Sequence, residues 1–163
     1  MRRSLLVVLL ALTVVPTAAA AFSVTLNTVS PVTAPGVTLN GVDQTQSFTL
    51  SITVSDANPG SGNGWNVSMA ATAPTNGANT LPALVVTTVA AGACSGGSCV
   101  NATNAITWPQ TLTVGGVKIF NAAIGTGTKT TALTPTVQIT YPANAFPLTY
   151  ASTLTVTGIN NGP

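Results

Sequence analysis

Few side chains in this protein can carry out chemistry, and their types limit what that chemistry could be. The 163 residues contain no histidine, two acidic side chains and four basic ones. Arg2 and Arg3 lie at the extreme N-terminus, which leaves Asp43, Asp56, Lys118 and Lys129 along the rest of the chain. Acid–base catalysis requires positioned titratable groups. Ser-His-Asp and Cys-His arrangements cannot be built without histidine, and a paired-carboxylate site would need Asp43 and Asp56 to meet. Composition therefore predicts a protein that is not an enzyme and that carries no cofactor.

Four local patterns remain. Asp56-Ala57-Asn58 followed by Gly60 echoes a calcium loop, but it lacks the later bidentate Glu and Pro59 stiffens its middle. The alternative is an Asx-type turn in which Asp56 bonds nearby backbone amides. Gly60-x-Gly62-x-Gly64 resembles a phosphate cradle without a following helix, so it reads as turn chemistry. Cys94 and Cys99, in Cys-Ser-Gly-Gly-Ser-Cys, are the only cysteines. In an exported chain they predict a disulfide around a tight loop, against a zinc pair that has no second pair of ligands. Lys118 alternates with Val117 and Ile119. It reads as a solvent-facing strand residue or as the amine of an intramolecular isopeptide bond.

The context is one of export. Arg2 and Arg3, the apolar run Leu5–Val15 and the small residues up to Ala21 have the order of a secretory leader. The expected boundaries are a signal peptide over 1–21, cleaved near Ala21–Phe22, and a single domain over 22–163. The apolar run is shorter than the roughly 20 residues that span a bilayer. Loss of Arg2 and Arg3 takes the formal charge from +2 to zero. That leaves no basic surface for nucleic acid or anionic lipid, and no membrane span once the leader is removed. The expected location is extracellular or at the cell surface. No sorting motif of the LPxTG kind, lipobox cysteine or C-terminal hydrophobic segment is visible, so attachment is expected to be non-covalent.

The elements that must position these residues read as strands. Ser47–Val54 alternates Phe48, Leu50, Ile52 and Val54 with Ser and Thr. Beyond a Gly/Asn/Pro/Ser-rich turn, Trp65, Val67 and Met69 alternate in the same way, which predicts a β-hairpin with a long turn. Phe22–Val29, Ala83–Val89, Thr136–Tyr141 and Leu148–Thr157 are further strands, Val37–Leu39 is a weak one, and Asn76-Gly77 centres a turn. Gly115-Gly116 joins Gln110–Val114 to Val117–Phe120 as a second hairpin. No stretch has a capped helical period. The expected fold is all-β, an immunoglobulin-like β-sandwich of about seven to nine short antiparallel strands. Abundant threonine suits a pleated surface whose outer face meets water.

Register places Trp65 in the core with Val67 and Met69, and Tyr150 in the core with its hydroxyl at the rim. Trp108, beside Pro109 and beyond the cysteine loop, is the candidate for an exposed aromatic contact. Phe22, Val24 and Leu26 share one side of the first strand after the leader, and few charges guard the sheet edges. Those three residues mark a candidate segment for strand addition to a neighbour.

Val54-Ser55-Asp56, the Asn58-Pro59-Gly60-Ser61-Gly62-Asn63 turn and Gly64-Trp65-Asn66-Val67 resemble the core of a WxL-type cell-surface domain. Thr140-Tyr141-Pro142, Tyr150, Thr153–Thr157 and Gly162-Pro163 resemble that family's closing strand, so the likeness extends over most of 22–163. Trp65-Asn66-Val67 has Val in place of Leu, and Leu154-Thr155-Val156 stands where a second Trp-x-Leu is expected. The resemblance implies a secreted β-sandwich held non-covalently at a cell surface, binding peptidoglycan, another wall polymer or a surface protein. The alternative expectation is a structural subunit of a filament or surface layer assembled by strand addition.

Overall fold

The computed structural model describes residues 8–14 (as backbone), 22–56 and 63–160. The cleavage site at Ala21, the Asn58–Gly62 part of the turn and the closing Gly162-Pro163 lie outside the described residues. Thirteen strands and no helix occur among the described residues. They are β1 (Val8–Val14), β2 (Phe22–Leu26), β3 (Val32–Ala34), β4 (Gln44–Thr49), β5 (Ile52–Asp56), β6 (Trp65–Ala71) and β7 (Thr75–Asn76). The chain continues with β8 (Asn79–Thr80), β9 (Val85–Ala91), β10 (Gln110–Thr111), β11 (Val117–Ala122), β12 (Lys129–Tyr141) and β13 (Tyr150–Ile159). One sheet runs β11-β6-β13-β1-β3 with β7 and β8 attached, and the other runs β10-β9-β12-β5-β2 with β4 also on β12. The protein is a β-sandwich. Its strand segments outnumber the seven to nine expected because several are two or three residues long.

Alternation builds the core. β13 buries Tyr150, Ser152, Leu154, Val156 and Gly158 on one face, and β12 buries every second residue from Thr131 to Tyr141. Trp65, Val67, Met69, Leu154 and Val156 from one sheet meet Ile52, Val54, Leu133, Val137 and Ile139 from the other. Each large side chain removed from water in this way contributes roughly 1.5–3 kcal/mol before entropy is counted.

The alternating stretch Ser47–Val54 keeps one continuous register along β12, with Thr49 opposite Thr136 and Ile52 opposite Leu133. The break between β4 and β5 falls opposite Pro135, whose nitrogen carries no hydrogen for the ladder. The Leu50 amide still donates to the Pro135 carbonyl at 3.0 Å.

Both expected hairpins are corrected. β5 pairs with β12 and β2, whereas β6 pairs with β11 and β13, so the strands around the 57–64 connection face each other across the core. β10 pairs with β9 and β11 with β6, so Gly115-Gly116 also carries the chain from one sheet to the other. Period-2 alternation reports that one face is buried; it does not report which strand lies alongside. The smaller hairpin does form, with Asn76 opposite Asn79 and Gly77 at φ +56°. Val37–Leu39 is not a strand, and Val32–Ala34 takes that place.

One strand falls within the expected leader. In the intact chain Val8–Val14 lies parallel to β13, from Val8 opposite Tyr150 to Val14 opposite Val156. Its other edge is antiparallel to β3, with Val8 opposite Ala34 and Leu10 opposite Val32. β1 thus lies before the boundary expected at Ala21–Phe22 and is paired in the sheet of the intact chain. A short apolar run serves equally as the hydrophobic stretch of a leader and as an interior strand, and periodicity does not separate the two.

Candidate functional site

The residues singled out from sequence fall into three regions of the sandwich. At one end, Gly64 turns into β6 with φ +69°, where a Cβ would run into the Ala122 carbonyl oxygen. Trp65 is fully buried between Phe22, with ring centroids 6.5 Å apart, and Phe120, stacked at 5.7 Å. Val67 is buried behind it. Trp65 is thus an inter-sheet anchor rather than a ligand platform.

Asp56 is buried at the end of β5, opposite Phe22 on one side and Lys129 on the other. Lys129 adopts φ +66°, an uncommon conformation for a residue with a side chain. Cys94 and Cys99 are bonded, with Cα atoms 6.0 Å apart, and Ser95 exchanges backbone hydrogen bonds with Thr130 at 2.9 and 3.2 Å. Ser55, Asp56, Ser95, Gly96, Lys129 and Thr130 line a shallow pocket of about 200 Å³ where the cysteine loop meets the sheet. Among the described residues no group of three His, Cys, Asp or Glu side chains is placed to hold a metal ion.

The second region contains Trp108. It is half-buried and its indole N–H donates to the Ile119 carbonyl at 2.9 Å, so it is tied to β11 rather than displayed as a free aromatic. It anchors a segment that runs beside the outer edge of β11. Asn104 Oδ1 accepts from the amides of Ile106 and Asn121 at 3.2 and 3.0 Å, and Asn121 Oδ1 accepts from the Ala105 amide at 2.8 Å. Further along, Val100 donates to Thr128 Oγ1 at 2.8 Å and Thr103 to Thr126 Oγ1 at 3.1 Å. Side-chain amides and hydroxyls here complete an edge that has no further strand among the described residues. In a chain with so few charges, that is how this edge is guarded against pairing with another molecule. Lys118 lies on the exposed face of β11, which removes the geometric basis for a buried isopeptide bond.

The third region was not singled out from sequence. Ser30, Pro31, Thr72, Thr75, Ala151, Ser152 and Thr153 line a groove of about 470 Å³ beside β13. Ser152 Oγ donates to the Thr72 carbonyl at 2.6 Å, and the Thr153 amide donates to Thr72 Oγ1 at 2.9 Å. Ala151 and Thr153 face outward from β13. Apart from alternation in β13, nothing in the sequence marks these residues, because β13, the segment before β7 and the turn before β3 meet only in the fold. The groove offers hydroxyls, a proline ring and backbone, and no titratable side chain lines it. Such a lining offers hydrogen-bonding groups and shape, and no side-chain charge.

Phe22, Val24 and Leu26 are paired with Asp56, Val54 and Ile52 in their own sheet, so this segment does not project. Tyr150 is buried and its hydroxyl donates to the Phe146 carbonyl at 3.3 Å. Tyr141, also buried, donates to the Pro35 carbonyl at 3.2 Å, and burial pushes its phenol up to about 12. No family model matches the chain, and comparison with curated proteins finds no match.

Proposed function

We propose that this protein is a secreted, non-catalytic cell-surface module of WxL-like type, held non-covalently by a wall polymer or a surface protein. The observation that carries the reading is the groove beside β13, lined by Ser30, Thr72, Thr75, Ser152 and Thr153 and by no titratable side chain. A site of this composition can bind and orient a ligand, but it supplies no group to exchange a proton with one. The Gly64-Trp65 anchor supports the family likeness, since this glycine and tryptophan brace the two sheets. The donor segment expected by the filament reading, Phe22–Leu26, is the outermost strand of its own sheet and is paired with β5 along one edge.

The test is co-sedimentation of the exported chain with washed cell-wall sacculi, beside a spin of the protein alone. Pelleting that requires sacculi, and that weakens when Thr153→Arg fills the groove, is the expected result. A chain that pellets equally without sacculi assembles with itself, and one that remains in the supernatant with them does not bind the wall. Either result overturns attachment to a wall polymer.

A further inference from the structure

Val8–Val14 is at once the hydrophobic centre of an export leader and a strand of the sheet, and both roles bear on what the exported domain presents. β3 has β1 as its only ladder partner among the described residues, and β13 uses its Tyr150–Val156 edge for β1 alone. Removing β1 therefore leaves a gap one strand wide. The two flanking strands would stand two inter-strand spacings apart, roughly 10 Å. One wall would present the backbone of seven residues of β13 and the other that of Val32–Ala34. Unpaired backbone groups next to a dry core are costly, and neither wall carries a charge that would deter pairing.

We propose that leader removal opens a strand-acceptor slot between β13 and β3, and that the slot is filled by an uncharged, apolar strand of a partner protein running parallel to β13. The proposal rests on the export reading and deepens the surface-module reading by naming the mode of attachment. The occupant's chemistry follows from the segment seated there, Val-Leu-Leu-Ala-Leu-Thr-Val, which has no charge and no proline. Its length follows from the seven-residue register with β13. Its source follows from the pairing of the rest of the chain. Every other described strand already lies in a ladder, so a second copy has no spare described strand to donate. The groove lined by Ala151 and Thr153 flanks the slot, since these residues lie opposite Leu9 and Ala11. Main-chain hydrogen bonds would supply affinity, and the groove would read the donor's outward side chains.

The experiment uses the full chain with a specific-protease site placed within 15–21, cut after folding in an excess of a fluorescein-labelled peptide. The peptide is Val-Leu-Leu-Ala-Leu-Thr-Val between lysine tails. The expected result is one strand held per cut chain in gel filtration. A probe with cysteine in the place of Ala11 should cross-link to a Thr153→Cys chain and not to a Thr157→Cys chain. A probe with proline in place of Leu10, which lacks a ladder N–H, should bind roughly tenfold or more weakly. Retention of the cut leader instead of the probe also supports the slot, since the leader is then a strand held in trans. Loss of both strands overturns the proposal, whether the remaining chain stays folded or unfolds. So does equal uptake of a reversed-sequence probe without the Thr153→Cys cross-link, and so does a dimer of cut chains that excludes the probe. None of these readouts involves wall material, so failure to pellet with sacculi leaves this result to stand by itself.

Discussion

The indole N–H of Trp65 donates to the carbonyl of Gly127 at 2.8 Å, although the two residues are 62 positions apart. Gly127 has φ +67°, and a Cβ built on it would lie 2.6 Å from Trp65 Nε1 and 2.7 Å from the Ala122 Cβ. The loop after β11 can close over the indole only because this position has no side chain. The hydrogen bond satisfies a buried indole that would otherwise be desolvated without a partner.

Gly127→Ala should therefore destabilise the fold by about 3 kcal/mol or more, combining left-handed strain with overpacking against Trp65. Gly125 provides the control. It has φ +77°, and a Cβ added there would meet nothing within 4 Å, so Gly125→Ala should cost only about 1–2 kcal/mol. Urea unfolding of the two variants measures the difference. Equal losses would mean that contact with the indole contributes nothing beyond backbone strain.

Tyr141 makes stability depend on alkaline pH. Its phenol ionises at about 10 in the unfolded chain and is pushed up to about 12 by burial. The folded state holds this proton more tightly, so the stabilisation is complete below pH 10 and is lost as pH rises from 10 through 12. The shift corresponds to roughly 2–3 kcal/mol across that window. Tyr141→Phe keeps the ring, loses the hydrogen bond to Pro35 at a cost of about 1 kcal/mol at neutral pH, and should flatten the alkaline slope. Urea midpoints at about pH 7, 10 and 11.5 test this. The same slope in both chains would remove Tyr141 as its source.

What the sequence made legible was the face that each strand buries. Tyr150, Ser152, Leu154 and Val156 share the buried side of β13, and Trp65, Val67 and Met69 that of β6. What it hid was adjacency. β5 and β6 follow one another through a turn but lie in opposite sheets, and alternation is the same for a hairpin as for a strand pair facing across a core. The groove residues Ser30, Thr72 and Ser152 are invisible for the same reason, because three distant segments supply them. The bond that ties the half-buried Trp108 to β11 was not legible either, because an aromatic beside a proline carries no period and its partner, the Ile119 carbonyl, is a backbone atom that no side-chain pattern encodes. Val8–Val14 carries two readings, leader and strand, because a short uncharged apolar run suits both.

The Cys94–Cys99 bond closes a loop with a sequence separation of 5, so its effect should be local. Chain entropy assigns so short a ring about 2 kcal/mol, equivalent to a fall in Tm of roughly 4–8 °C in a domain of this size. A Cys94→Ser, Cys99→Ser chain should remain folded. Its fastest-rising amide exchange should be at Ser95 and Thr130, which hold each other across the loop and β12. Faster exchange spread evenly through β6 and β13 would show instead that the bridge stabilises the whole sandwich.

Asn104 tests how the outer edge of β11 is closed. Its Oδ1 accepts from both the Ile106 and Asn121 amides, and its Nδ2 donates to the Ile106 carbonyl at 2.9 Å. Asn104→Ala deletes all three bonds and leaves the Asn121 amide to find water or another chain. The loss should be about 1–3 kcal/mol in urea unfolding, with faster exchange at Asn121 and Ile106. A second effect follows from the edge itself: a strand with unpaired N–H and C=O groups and almost no charge recruits other strands. The variant should therefore self-associate at concentrations where the parent chain is monodisperse in light scattering. Asn104→Asp restores the acceptor without the donor, so it should recover most of the protection at Asn121 and lower self-association. If Asn104→Ala is destabilised but stays monodisperse, the 100–108 segment stabilises the fold without acting as an edge guard.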